Sequence, residues 1–288
     1  MNESTCTVTA ALTHFAGRAG DHNDRAMAGS PAMAEELARR LGVDPVVISQ
    51  PEPALASGWQ AELDAARPAL CAMGARYEQL FSQGAVPFTA LSRCAVALAT
   101  LPIVARHRPD AVVVWLDAHA DINTPDSTTS GYLGGLALSG PLGIWDSGFG
   151  QGLSSANTIL VGARAIDPFE HQLIARGALT LVPPGPDIAA RVSAAVAGRP
   201  VYLHLDCDVL EPGLIPTDYS VPGGFSLNEL RQIAVAVATS EVVGLEIAEF
   251  EADTTPEGTQ AAACCLLDAL QPLLPIASGI DPSPQPRS

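Results

Sequence analysis

The chain has 288 residues, a hydrophobic fraction of 48% and a positive mean hydropathy of +0.22, which exclude a mainly disordered chain and allow a sizeable core. The formal net charge is −16 and all 15 basic residues are arginine, so nucleic acid and anionic membranes are disfavoured as partners, while a cationic small molecule is tolerated. No apolar run approaches the roughly 18 residues that span a bilayer, and Met1-Asn2-Glu3-Ser4-Thr5 carries no basic leader, so the expected address is the cytoplasm.

In chain order, the polar, glycine-bearing stretch 17–30 reads as a loop at the rim of a site, and a helix is predicted over 31–41. A short β-branched strand follows at 46–49, then a long amphipathic helix over 58–83 with a kink at Pro68. A strand at 86–91 leads into a helix over 94–106. Residues 111–116 are continuously apolar without alternation, which suits a strand buried on both faces of a parallel sheet. Further strands are predicted at 158–162, 179–182, 201–205 and 242–247, with helices over 167–176, 187–197, 227–239 and 256–274. This alternation argues for βαβ units and an α/β fold with a mainly parallel sheet. No linker divides the chain, so one domain over 1–275 is expected, with the Pro- and Ser-rich 276–288 as a loose tail.

Cys6, Cys71, Cys94, Cys207, Cys264 and Cys265 show neither metal-ribbon nor redox spacing and are expected as reduced thiols. The adjacent Cys264 and Cys265 lie in an apolar helical stretch and read as core.

Chemistry concentrates where the buried strands end. In Asp117-Ala118-His119-Ala120-Asp121, residues two apart point the same way in extended chain, so two carboxylates and an imidazole can converge past the strand's carboxyl end. A second buried strand ends in Asp206-Cys207-Asp208, again placing two carboxylates on one face, with Cys207 turned to the other. Carboxylates gathered in this way repel unless cations compensate them. Carboxylate with imidazole suits Mn²⁺ ahead of Zn²⁺ or Fe²⁺, and two cations can jointly activate water and polarise a substrate. Asp residues that only cap turns and helices are the simpler reading of either motif alone; the recurrence of the pattern argues against it. His204, two residues before Asp206, is expected one layer deeper as a hydrogen-bonded or core histidine and not as a ligand. Trp145 and Tyr219 either line a pocket or pack within loops.

The run from Asp117 to Pro125 resembles the metal motif of the arginase (ureohydrolase) family continued into its substrate loop. Asp206 to Pro212, followed by Val221-Pro222-Gly223-Gly224, is similar to that family's second metal motif, and Gly244-Leu245-Glu246-Ile247-Ala248-Glu249 to its third. The resemblance implies a three-layer α/β/α fold, two Mn²⁺ ions and hydrolysis of a guanidinium carbon–nitrogen bond, with a homo-oligomer as a common assembly. Position by position it implies that Asp117 and Asp206 bridge the metals, Asp121 completes one set, and His119 and Asp208 complete the other. It also implies Asp121 and Glu249 as catalytic positions, Glu249 facing the guanidinium group, and Asn123, Thr128 and Ser130 holding the amino-acid end of the substrate.

Two positions depart from the family pattern. Cys94 lies 23 residues before Asp117, where the family places a histidine ligand. Either its thiolate serves as a softer ligand, weakening that metal or changing its identity, or Cys94 is a buried helical cysteine and the metal lacks this ligand. Asp21-His22 superficially resembles the missing motif but comes far too early, and reads as loop. Gly134 stands where arginases carry a proton-shuttling histidine, which makes protonation of a basic leaving amine harder. Both changes, with Gly131 to Gly135, Leu138-Ser139-Gly140 and Trp145-Asp146-Ser147-Gly148, are similar to the branch acting on Nω-hydroxy-L-arginine in D-cycloserine biosynthesis. That branch releases hydroxyurea and ornithine. Three alternatives remain open: a plain arginase, a hydrolase of another guanidino acid, and a catalytically inactive relative that binds a metabolite.

Overall fold

Strand β4 (Val112–Leu116) is buried along its whole length, as its unbroken apolar run predicts. Its side chains divide by parity: Val112, Val114 and Leu116 enter one core cluster, Val113 and Trp115 the other. The same division runs through β7 (Val201–Asp206), where Leu203 and Leu205 face the first cluster and Tyr202 the second. A sheet buried on both faces needs helices on both. The structure, a computed structural model that describes residues 9–275, supplies them. Helices α1 (Arg25–Leu41), α5 (Ile188–Val196), α6 (Leu227–Val237) and α7 (Pro256–Leu270) cover the first face. Helices α2 (Trp59–Ser82), α3 (Ala97–His107) and α4 (Pro168–Ala175) cover the second.

The remaining strands are β1 (Thr9–Phe15), β2 (Val46–Ile48), β3 (Ala85–Ala90), β5 (Thr158–Val161), β6 (Thr180–Val182) and β8 (Val242–Ala248). The sheet has eight strands in the order β2-β1-β3-β8-β7-β4-β5-β6, and every pairing is parallel. The fold is the expected three-layer α/β/α arrangement, with a sheet that is wholly and not merely mainly parallel. All carboxyl ends therefore lie on one side, where the loops after β1, β3, β4, β7 and β8 meet.

Several predicted boundaries change. Strand β1 was not predicted, and α1 starts at Arg25, inside the expected loop 17–30. Pro31 sits within this helix and cannot donate to Met27; the Ser30 hydroxyl donates to the Met27 carbonyl instead, at 3.3 Å. Helix α2 runs continuously through Pro68, and the last helix ends at Leu270, followed by a 3₁₀ turn, Gln271–Leu273. Cys264 is only part-buried and Cys265 is exposed, because the core face of α7 is Ala263, Leu266, Leu267 and Leu270. The expected tail, 276–288, and Cys6 lie outside the described residues. Among the described residues no helix is long and apolar enough to cross a membrane.

Candidate metal centre and substrate pocket

Asp117 follows β4 directly. Its Oδ1 accepts the His119 N–H at 2.6 Å and its Oδ2 accepts Trp115 Nε1 at 2.9 Å, so a tight side-chain turn fixes the carboxylate. Asp121 then takes a left-handed backbone (φ 53°), unusual for a residue with a side chain, while its carbonyl accepts the amides of Leu138 and Ser139. At the end of β7, Asp206 Oδ1 accepts the Asp208 N–H at 2.8 Å, and Asp208 Oδ1 accepts the Ala118 N–H at 2.9 Å, tying the two acidic loops together. Arg164 clamps the second loop from outside, donating to the carbonyls of Asp208 and Val221. Glu211 Oε2 accepts the amides of Gly223 and Gly224, both at 2.8 Å, which closes the loop bearing that motif.

The structure brings all the sequence-predicted metal residues together. Donor atoms of Cys94, Asp117 and Asp121, of Cys94, Asp206 and Glu249, and of Asp117, His119 and Asp208 each lie within 4.8 Å of one another. Cys94, Asp117, Asp121, Asp206, Asp208 and Glu249 are buried and His119 is half-buried. Burial, and then the charges of neighbouring acids, push the carboxyls of Asp121, Asp206 and Asp208 above the ordinary range and raise the Cys94 thiol likewise. Asp117 is held low despite its burial, through hydrogen bonds and charge attraction from His119; that imidazole, equally against its burial, is pushed up to about 11 by Asp117 and Asp208. A cluster that cannot ionise fully by itself, built from carboxylate, imidazole and thiol donors, fits divalent cations. The overlapping donor groups fit two of them.

Cys94 opens a 3₁₀ turn just after β3, not the first turn of a regular helix. Its Sγ lies 3.1 Å from Asp206 Oδ2 and 3.1 Å from His204 Nε2. His204 is fully buried, stacks on Trp115 at a centroid distance of 3.6 Å, and places Nδ1 2.7 Å from Glu246 Oε1. It therefore sits behind the donor cluster. Cys207 packs into the opposite core cluster.

A cavity of about 460 Å³ opens over the cluster, lined by Asn123, Thr128, Ser130, Tyr132, Tyr219 and Glu249 among others. Asn123 Nδ2 donates to Asp167 at 2.8 Å at the start of α4, whereas Thr128 and Ser130 receive the amides of Gly131 and Tyr132 and so shape the loop they occupy. Exposed His22 lies 4.9 Å from the Tyr132 ring, which puts part of the 17–30 stretch at the pocket's edge. Tyr219 lines this cavity; Trp145 lines a separate groove with Trp59.

Sequence reasoning missed three contributors. Arg93 is fully buried and reaches Asp21, Glu249 and Glu251 with Nε, Nη1 and Nη2 at 2.9, 2.6 and 3.3 Å. The signal available was an arginine inside an otherwise apolar stretch. Asp21, set aside as loop, is completely buried and belongs to this cluster. Tyr132 places its hydroxyl 3.3 Å from Glu249 Oε1; burial, then the charge of Glu249, holds that hydroxyl protonated well above its usual range. Its ring also explains Gly134: a Cβ there would lie 2.3 Å from Tyr132 Cε1, so Tyr132 and any side chain at 134 compete for one space.

Comparison with known proteins places these features in context. An N(omega)-hydroxy-L-arginine amidinohydrolase from Streptomyces lavendulae is 38% identical over 262 residues, covering 91% of this chain and 96% of that protein. Human mitochondrial arginase-2 is 30% identical over 198 residues, 61% of this chain and 56% of that protein. In structure, the arginase of Bacillus caldovelox superposes with a TM-score of 0.77 at 22% identity, covering 92% of this chain and 98% of that one. Residues 59–270 match the Arginase family. With the strand-end acidic motifs, the all-parallel sheet and this match in agreement, the chain belongs to the arginase family.

Proposed function

We propose that this chain is a two-metal amidinohydrolase that cleaves the guanidino C–N bond of an arginine-like amino acid, preferring Nω-hydroxy-L-arginine and releasing hydroxyurea and L-ornithine. The observation that carries the substrate preference is the Tyr132 ring in the space next to Gly134, which leaves no room for a shuttling side chain there. The 38% identity to the hydroxyarginine enzyme supports the same choice.

Cys94, Asp117, Asp121 and Asp206 would hold one cation, and Asp117, His119, Asp206 and Asp208 the other, with Mn²⁺ as the proposed metal. The Cys94 side is the one expected to bind Mn²⁺ more weakly or to favour a softer ion. When bound, the cations lower the pKa of water and polarise the substrate. Asp121, which lines the cavity beside the cluster, would take the proton that the attacking water sheds. Glu249 receives the guanidino end, and Asn123, Thr128 and Ser130 line the side where the α-amino and carboxylate groups would lie. The N-hydroxyl makes the guanidine less basic and brings a polar group towards the cations, which lessens the need for the absent shuttle. The wider reading is a cytoplasmic enzyme, in a homo-oligomer, serving antibiotic biosynthesis.

The test compares L-arginine with Nω-hydroxy-L-arginine on the purified protein with added Mn²⁺, following ornithine release and metal content together. About two metals per chain and faster turnover of the hydroxylated substrate are expected. Faster turnover of arginine would sink the substrate assignment. A metal-free chain without turnover would instead point to an inactive metabolite-binding relative.

A further inference from the structure

Three donors of the protein itself already approach Glu249. Oε2 accepts Arg93 Nη1 at 2.6 Å, while Oε1 accepts the Cys94 N–H at 2.8 Å and the Tyr132 hydroxyl at 3.3 Å. An ionised carboxylate offers about four lone-pair positions, so about one stays open. A guanidinium ion pairs best as a fork, with parallel N–H donors on both oxygens. Oε1 has no position left for its half of that fork. A ligand offering one donor fits the remaining place.

The charge balance points the same way. Arg93 stays charged at any working pH, and it lies behind Glu249 with no exposure to water that would screen it. Its other donors are fixed by Asp21 and Glu251, and Glu251 is paired in turn with Arg25 at 2.8 Å. Glu249 thus meets the pocket with its charge partly countered, three carboxylates sharing Arg93 and Arg25. A second cation brought to its open face would gain less from Glu249 than from an unpaired carboxylate and would be repelled by Arg93; an uncharged group would meet no such repulsion.

We propose that Arg93 determines specificity: by occupying Glu249 and partly countering its charge, it sets the pocket against a guanidinium cation and in favour of an uncharged N-hydroxyguanidine that gives Glu249 a single donor. This rests on the substrate reading above and adds which charge form is selected, and by which residue.

The test uses the metal-loaded enzyme with Arg93→Met, and with Arg93→Met combined with Asp21→Asn and Glu251→Gln, which neutralises the two other carboxylates of the lost arginine and leaves Glu249 uncountered. Guanidinium and urea are planar, similar in size and different in charge, so their competitive inhibition constants report charge preference directly. Removing Arg93 is expected to favour guanidinium over urea by at least tenfold relative to wild type. The kcat/KM preference for hydroxyarginine over arginine is expected to fall at least tenfold, through a lower KM for arginine. Arg93→Lys, which keeps the charge, should retain most of the preference. A folded variant, single or triple, whose guanidinium-to-urea ratio stays within threefold of wild type overturns the proposal. If wild type shows no preference for hydroxyarginine, the substrate assignment fails, and the inhibitor ratio still decides the role of Arg93.

Discussion

Glu246 gives the sharpest test of how the Cys94 side of the centre is held. It is fully buried on β8 and faces three donors: His204 Nδ1 and the Tyr202 hydroxyl at 2.7 Å, and the Thr100 hydroxyl at 2.9 Å. Glu246→Leu keeps a side chain of similar length but removes every acceptor. The Tyr202 hydroxyl retains a partner in Tyr77 at 2.9 Å, so the donors left stranded are His204 Nδ1 and Thr100 Oγ1. At about 1–3 kcal/mol for each orphaned buried donor the loss is about 2–6 kcal/mol, and relief from burying a carboxylate lowers it to about 2–4. Glu246→Gln keeps one carbonyl but turns an amide against a donor, and should cost about 1–2 kcal/mol. Urea unfolding of the three proteins measures the series. Adding His204→Phe to Glu246→Leu should recover at least about 1 kcal/mol, since the new ring can keep the stack on Trp115 and needs no acceptor. Glu246→Leu also frees the imidazole beside Cys94, so metal bound on that side should fall while the His119 side keeps its share. A Glu246→Leu protein within about 0.5 kcal/mol of wild type, with full metal content, would refute this account of the network.

Gly134→His alone should cost about 1–3 kcal/mol, because its Cβ would lie 2.3 Å from the Tyr132 ring; with Tyr132→Ala the same histidine should fit, recovering most of the loss in a thermal unfolding comparison. Removal of the metals should make stability fall as pH rises. Asp121, Asp206 and Asp208 have folded-state carboxyls above their unfolded values, Asp208 at about 7, so the folded state binds more protons and loses stability from about pH 4 to pH 7. His119, raised to about 11, contributes stability that is fully present below its ordinary value and lost as pH rises through 11, so it does not reverse the trend. Chelated protein more stable at pH 7 than at pH 5, or a trend that added Mn²⁺ leaves untouched, would contradict the cluster's demand for cations.

Legibility in the sequence followed how local each feature was. The β4 run and the D-x-H-x-D and D-x-D spacings are local, and they gave the sheet type and the meeting of five metal-binding candidates. The reason for convergence differed from the one expected. Asp117, His119 and Asp121 meet through a side-chain turn and a left-handed residue, and not through the parity of an extended strand. Strand β1 was illegible because Thr9 to His14 carries small and polar residues, and its burial comes from neighbours on both sides in the sheet. The start of α1 was hidden because Pro31 signals an N-terminus, whereas in the fold it sits in mid-helix, with the Ser30 hydroxyl on the Met27 carbonyl that a proline leaves free. Arg93 finds Asp21, Glu249 and Glu251 at separations of 72, 156 and 158 residues, which no local pattern encodes.

The departures that sequence reading treated separately are connected in three dimensions. A thiol at 94 would be a poorly anchored ligand by itself, yet its sulfur is held between Asp206 and a histidine that Glu246 fixes in turn. Its backbone amide holds Glu249, so the residue beside the expected metal also orients a carboxylate that lines the cavity. Arg93, the preceding residue, takes the other oxygen of Glu249. Tyr132 supplies the third donor to Glu249 and fills the space beside Gly134. Changing one of these positions alone therefore disturbs the others: a histidine at 94 would meet His204, and a side chain at 134 would displace the ring that caps Glu249. Restoring the family's residues one at a time should thus weaken the protein before it restores an arginase, because the unit under exchange is the linked set around Glu249.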